Sequence, residues 1–236
     1  MERNEVKRAR FLYEIGLFYL PEQLVFVDES SCDRRTTYRK KAWAIRGQRA
    51  SRKAFFIRGQ RYVLILNGLI KTHSCRYSIL PALSLDGILS VDIEEGSFDQ
   101  TLFARFIEGL LDQMNPFPGK NSVIVMDNSR VHHADFVLNR IIDRYVFTIF
   151  FFNPNHVSKL TRGMKYVFLP AYSPDFNPIE LAFSAIKAHI RRNGSLFRAA
   201  SMTTEETIDA KYYLHEAVWS VTAEDAHGWY QHCNYV

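Results

Sequence analysis

The chain has 236 residues, 47% of them hydrophobic and 14% aromatic, enough to fill the core of one sizeable domain. No run approaches the roughly 18 apolar residues of a membrane span, and the charged start from Met1 to Arg10 is unlike a signal sequence, so the chain reads as intracellular with no membrane partner. Three widely separated cysteines, Cys32, Cys75 and Cys233, offer neither a disulfide framework nor a zinc-site spacing and read as reduced, partly buried thiols.

In chain order, Phe11, Leu12, Ile15, Phe18 and Tyr19 recur at helical spacing, which predicts a lead-in helix over residues 1–20 stopped by Pro21. Leu24-Val25-Phe26-Val27 follows as a short apolar strand. It runs into Asp28-Glu29-Ser30-Ser31, so the first acids stand at the carboxyl end of a buried strand. From Arg34 to Arg61 come eleven basic residues and no acid, so the rest of a chain of net charge +5 is itself negative. With Tyr38, Trp43, Phe55 and Phe56 interleaved, this block predicts turns and an outlying basic hairpin. Arg39, Lys40 and Lys41 are its candidate contacts to nucleic acid, because such residues neutralise phosphates and release counterions. A solvated basic face is the competing reading. Residues 62–70 predict the second main strand, and Ile88 to Ile93, after the Asp86-Gly87 turn signal, the third.

Leu102, Phe103, Phe106, Leu110 and Leu111 predict a helix from Asp99 to about Met114, capped by Ser97 or Asp99. Ser122 to Met126 is a continuous apolar run, as in a strand covered on both faces, and it delivers Asp127-Asn128 at its end. A helix near His133 to Arg144, a strand at 166–169 and a helix opening at Asn177-Pro178 come next; the tail predicts helices near Thr207 to Val221 and from Thr222, where Thr222-Ala223-Glu224-Asp225 has a capping-box pattern. This order predicts an α/β fold, a mixed five-stranded sheet flanked by helices, its first three strands antiparallel and its last two joined through crossovers.

Cleaving a phosphodiester means stabilising both the attacking and the leaving oxygen, which two magnesium ions about 4 Å apart do when several carboxylates hold them. Strand ends can set Asp28 and Asp127 side by side, and a helix crossing the same edge can bring Glu180 opposite. Each acid has a plainer reading. Asp28 and Asp127 could simply begin turns, and Glu180, third residue of a helix with Asn177 as cap and Pro178 at its first position, could reach back to the cap's backbone N–H. Along that helix Glu180, Ser184, Lys187 and Arg191 share one face opposite the apolar stripe of Ile179, Phe183, Ile186 and Ile190, so Lys187 and Arg191 are further candidate contacts for a phosphate backbone.

Val27-Asp28-Glu29-Ser30, then Met126-Asp127-Asn128-Ser129 with His132-His133 behind it, then Leu169-Pro170-Ala171-Tyr172-Ser173-Pro174-Asp175-Phe176-Asn177-Pro178-Ile179-Glu180 together resemble the mariner-type superfamily of DDE transposases. The last motif is the most specific, and the resemblance runs from about residue 20 to the end of the chain; Ala171 stands where the family usually has a second proline. The resemblance implies an RNase H-like fold and two Mg²⁺ or Mn²⁺ ions on a metal-binding triad of Asp28, Asp127 and Glu180. It further implies double-stranded DNA as partner, both transposon ends and target, with hydrolytic nicking followed by attack of the freed 3′-OH. A homodimer and, in a eukaryotic host, a nuclear location are compatible with it. Asn128, His132 and Asn177 match accompanying motif residues, for which supporting and loop-shaping roles are inferred. The family normally carries helix-turn-helix units ahead of the catalytic domain, and about twenty residues precede the first strand here, so end recognition is expected to be missing. The alternative function is a catalytically inactive relic that keeps the fold and non-specific DNA binding.

The spacing between Asp127 and Glu180, 52 residues, exceeds what the resemblance implies. Residues 145–162, with a Phe-rich middle, read as an insertion foreign to the domain, since removing those eighteen residues joins a helix end to Gly163 and the next strand. The competing reading is an added edge strand. Arg144-Tyr145-Val146 can be encoded with a splice-donor sequence, so an intron translated in frame is one origin, to be checked by comparing gene and transcript.

Overall fold

The computed structural model describes residues 3–37, 44–49, 61–65, 68–72, 76–129, 132, 138–139, 141, 163–193 and 210–236. Helix α1 (Glu5–Phe18) is capped by the Asn4 side chain, which accepts from the Lys7 N–H, and it ends two residues before a 3₁₀ turn that starts at Pro21. Its buried stripe is Arg8, Phe11 and Ile15, whereas Phe18, expected inside, is 63% exposed. Strand β1 (Leu24–Val27) lies at the centre of the sheet, parallel to β7 (Val123–Met126) and antiparallel to β5 (Tyr77–Ser84). All eight residues of β1 and β7 are at most 1% exposed. Burying a side chain of their kind contributes about 1.5–3 kcal/mol, so this strand pair anchors the sheet in the core.

Strand β2 (Ser30–Cys32) continues β1 along the same side of β5. The two are one ladder interrupted at Asp28 and Glu29. Val27 pairs with Ala82 and Ser30 with Ile79, so the shared register sets Asp28 opposite Pro81, a residue with no N–H to give. Strand β6 (Gly87–Glu95) pairs with the other side of β5, and β8 (Lys165–Phe168) runs parallel to β7. Gly87 adopts φ +111°, a conformation that L side chains rarely reach, and so lets the chain turn tightly between β5 and β6.

The sheet thus has six strands rather than the expected five, because the first ladder is broken in two. Residues 62–70 are not its second main strand. Those of them that are described fall in a separate two-stranded antiparallel sheet, β3 (Arg61–Ile65) with β4 (Gly68–Thr72), and the antiparallel partner of β1 is β5. The Tyr77-Ser78-Ile79-Leu80-Pro81-Ala82-Leu83-Ser84 segment lacks the alternation of a half-exposed strand because it is buried throughout, and its proline argues against a central strand.

Side chains alternate along the central strands between two cores. Leu24, Phe26, Val123 and Val125 join one core with α1, α3 (Pro178–Arg192), α4 (Ala210–Trp219) and α5 (Ala223–His232), while Val25, Val27, Ile124 and Met126 join the other with α2 (Gln100–Leu111). Asp99 caps α2 by accepting from the Leu102 N–H, and Thr222 with Asp225 forms the expected capping box of α5. Tyr230 of α5 packs edge-on against Phe26, its hydroxyl 2.9 and 3.1 Å from the carbonyls of Leu24 and Leu83. Cys32 and Cys233 are buried thiols that burial pushes up to about 11. Among the described residues no helix is long and apolar enough to cross a membrane. Most of the basic block, including Arg39, Lys40 and Lys41, and all of residues 145–162 lie outside the described residues, as does Cys75.

Candidate active site

Three parallel strands finish at one edge. Val27 of β1 is in register with Met126 of β7, and Met126 with Phe168 of β8. Asp28 and Asp127 therefore leave the sheet side by side, and the loop after β8 departs from the same edge. Period-two alternation carries Asp28 after Leu24 and Phe26, and Asp127 after Val123 and Val125, toward the face covered by α3. The loop closes through a 3₁₀ turn, Pro174–Phe176, and α3 begins at Pro178, which puts Glu180 in its first turn. Asp28, Asp127, Asn128, Ser129, Asn177 and Glu180 line one cleft of about 410 Å³ with the 169–174 loop. Tyr172, also in its wall, is 62% exposed and has φ 56°, a strained conformation for a bulky side chain.

The carboxyl of Asp28 accepts from the Glu29 N–H at 2.7 Å and from the Asn177 amide at 2.8 Å. Burial pushes it up to about 7; the nearby negative charges of Asp127 and Glu180 add to that, and the Glu29 N–H and His132 oppose it. Asp127 accepts from the Ser129 N–H at 2.9 Å and meets Nδ1 of His132 at 2.7 Å. His132 is 1% exposed, packs at a tilt against Phe103 with ring centroids 4.5 Å apart, and has Nε2 3.6 Å from a Glu29 oxygen, an ion-pair contact too long for a hydrogen bond. Burial disfavours its protonated form, but Asp127 and Glu29 outweigh burial and bring it to about 9.

The capping account of Glu180 does not hold. The Asn177 N–H is taken by the Pro174 carbonyl at 3.0 Å, the Asn177 side chain makes no cap, and its amide is turned to Asp28 instead. Among the described residues the three acids do not form a preassembled metal cluster, nor do any other three Asp, Glu, His or Cys side chains. Three like charges repel, and Asp28 and Asp127 are drawn to protein donors.

A family model described as DDE superfamily endonuclease matches residues 23–203. The chain belongs to that family. The fold of this DDE endonuclease domain is RNase H-like and similar to that of solved Mos1 structures. The paired-end complex with the left transposon end has a TM-score of 0.59 at 16% identity over 97% of this chain and 57% of that one. The Mos1 mariner paired-end complex with Mn has 0.60 at 14%, over 98% and 58%. The catalytic domain of Mos1 mariner transposase has 0.52 at 11%, over 99% and 88%. The chain thus spans little more than half of the first two. No curated protein matches it in sequence.

Of the other predicted site residues of this DDE domain, Asn128 is exposed at the cleft, and Lys187 and Arg191 lie half-buried on α3 below Glu180. The Lys187 ammonium donates to the Ser30 hydroxyl at 2.7 Å, so it ties α3 to β2. Sequence reasoning missed Glu29, whose partner His132 is distant in sequence, and Arg8 with Asp175. Arg8 stands at i−3 from Phe11 and i−7 from Ile15, so its place on the buried stripe of α1 was the signal available.

Proposed function

We propose that the chain is the catalytic domain of a mariner-type transposase. It nicks double-stranded DNA at transposon ends and joins the freed 3′-OH to target DNA, with two Mg²⁺ or Mn²⁺ ions held by Asp28, Asp127 and Glu180. The observation that carries this reading is the shared edge, where two register-matched strands end in Asp28 and Asp127 and a loop from the third brings Glu180 to the same cleft. The donor set fits such ions. All three ligands are hard carboxylate oxygens. Asp28 is shifted upward by burial and further by the nearby negative charges of Asp127 and Glu180, and the cleft-lining Asn177 has a buried Oδ1 with no partner among the described residues, an acceptor suited to a metal-bound water.

When bound, the ions would stabilise the attacking and leaving oxygens of a phosphodiester. The chain's own groups prepare the place for them. Asn177 holds the Asp28 carboxyl in orientation. His132, clamped between Asp127 and Glu29 and packed against the Phe103 ring, holds Asp127 and offsets part of the negative charge. Arg39, Lys40 and Lys41 contact the DNA backbone.

Plasmid nicking tests the reading. Relaxed circles are expected with Mg²⁺, none with EDTA and none with Glu180→Gln; equal nicking by Glu180→Gln and the unmodified chain would overturn it. The second reading, a chain that keeps the fold and binds DNA without cutting it, draws on the absence of a preassembled cluster among the described residues. DNA binding with no nicking under any divalent ion would establish that reading instead.

A further inference from the structure

The loop that carries Asn177 and leads to Glu180 lies inside the family-matched region, but several of the groups that grip it lie outside. On α1, Arg8 is 6% exposed, and its guanidinium puts Nη1 3.0 Å and Nη2 2.5 Å from the two carboxylate oxygens of Asp175. The same guanidinium lies 4.0 Å from the centroid of the Phe176 ring, with Glu5 accepting from its Nε at 3.2 Å. Phe11, the next residue of the stripe, stacks on that ring at 6.1 Å and 12°. From the other end of the chain, the buried Tyr235 hydroxyl donates to the Phe176 carbonyl at 2.7 Å. Asp175 and Phe176 are therefore held by side chain, ring and carbonyl, through residues before position 23 and after position 203.

Asn177 comes next, with its amide on Asp28, and Glu180 follows within one helical turn. The connection is stiff, because the Asn177 N–H donates to Pro174 and the Glu180 N–H to Asn177. Phe176, Asn177, Pro178 and Ile179 are all buried, and a close-packed segment transmits displacement instead of absorbing it. If Arg8 only filled space, an apolar side chain would serve without the desolvation of a charge. A planar fork bonded to both carboxylate oxygens fixes orientation, which packing alone does poorly.

We propose that Arg8 is a positioning residue of the active site. With Tyr235 it clamps Asp175 and Phe176 and so sets Asn177 against Asp28 and Glu180 over the cleft. The inference rests on the reading of Asp28, Asp127 and Glu180 as the catalytic carboxylates.

The test uses the full chain as Arg8→Met, which keeps an apolar stem over Phe176, and Arg8→Lys, which keeps the charge but loses the fork. Leu110→Ala, in the core on the opposite face of the sheet, is the control for general destabilisation. Three quantities are read beside thermal melting. They are the Asn177 side-chain amide resonance without metal or DNA, Mn²⁺ affinity by electron paramagnetic resonance, and Mg²⁺-dependent nicking. Arg8→Met is expected to move the amide resonance and to weaken Mn²⁺ binding and nicking about tenfold or more, the range for groups that support metal ligands. Arg8→Lys should restore part of both, and Leu110→Ala should melt earlier with amide and affinity unchanged. An Asn177 amide and Mn²⁺ affinity unmoved by Arg8→Met, or moved equally by Leu110→Ala, would overturn the clamp. Should Arg8→Met not fold, Arg8→Lys and Tyr235→Phe decide by the same readouts. If the unmodified chain cuts no DNA, the functional reading fails, while the amide response still decides whether the clamp exists.

Discussion

Asp28 and Asp127 differ from Glu180 in how they are held. The two strand-end acids follow residues that are almost fully buried and locked in parallel register, and each carboxyl is bonded to neighbouring N–H or imidazole groups. Glu180 is exposed, and among the described residues no hydrogen bond reaches its carboxylate. The sheet fixes two acids and leaves the third to a loop and the start of a helix. A site built this way has a rigid half and an adjustable half, and the adjustable half answers to whatever grips the loop.

The largest expected effect separates the halves by function and stability together. Asp127→Asn and Glu180→Gln should each lower nicking on the order of a thousandfold, since a metal-held charge contributes several kcal/mol to the transition state and each 1.36 kcal/mol is tenfold. Only Asp127→Asn should also destabilise the fold, by about 1–3 kcal/mol, because it strips buried His132 of its charged partner. Denaturant melts of both variants check this. Equal losses would mean that Glu180 is as structural as Asp127 and would break the comparison.

Asn177→Ala comes next, because it removes the side-chain bond that joins the loop directly to the Asp28 carboxyl. Mn²⁺ affinity should fall about 10–100-fold, with little change in thermal melting. A loss confined to stability would show that the amide packs and does not position. Smaller again is the joint replacement of Arg39, Lys40 and Lys41 by alanine. It should weaken binding to many DNA sequences alike and flatten the dependence of log affinity on log salt by up to about 0.9 for each phosphate no longer neutralised, leaving Mn²⁺ affinity untouched. An unchanged salt slope would return the block to a solvated face.

The rigid half was legible in the sequence, and so were the motif and Glu180 of the adjustable half, but the groups that grip its loop were not, for a physical reason. Leu24 to Val27 and Val123 to Met126 are local apolar runs that end in an acid, so strand, burial and the place of Asp28 and Asp127 all follow from a few adjacent residues. The partner of β1 is a matter of long-range pairing. Residues 62–70 have the alternation-free apolar look of a central strand, yet the described strands Arg61–Ile65 and Gly68–Thr72 pair with each other in a separate sheet, while Tyr77–Ser84, with Pro81 inside it, takes the central place. Local chemistry also misdirected Asn177, whose position before Pro178 makes it an ideal cap until tertiary structure turns its amide to Asp28. The bonds of Arg8 and Tyr235 span more than 160 and about 60 residues, beyond the reach of any periodicity.

The smallest expected effect concerns pH and again sets loop against sheet. Hydrogen bonds from Arg8 hold the Asp175 carboxyl below its usual range, with slight burial opposing them. A carboxyl with a lowered folded-state value stabilises the fold above its unfolded value, near pH 4, and loses that contribution as pH falls through the lowered value. Because the Asp175 side chain is 50% exposed, solvent screens the pair, and the contribution should stay at or below about 1 kcal/mol. The melting temperatures of the unmodified chain and Asp175→Asn should therefore differ slightly and steadily from pH 7 to pH 5, then converge on acidification. High salt should narrow the gap at pH 7 in the same way, since at 1 M the screening length shrinks to about 3 Å. A gap that survives both acid and salt would come from the shape of the side chain and not its charge. Neither treatment acts on the apolar contacts of Phe26 and Val125 in this manner, so the loop can loosen while the strands that carry Asp28 and Asp127 stay in register.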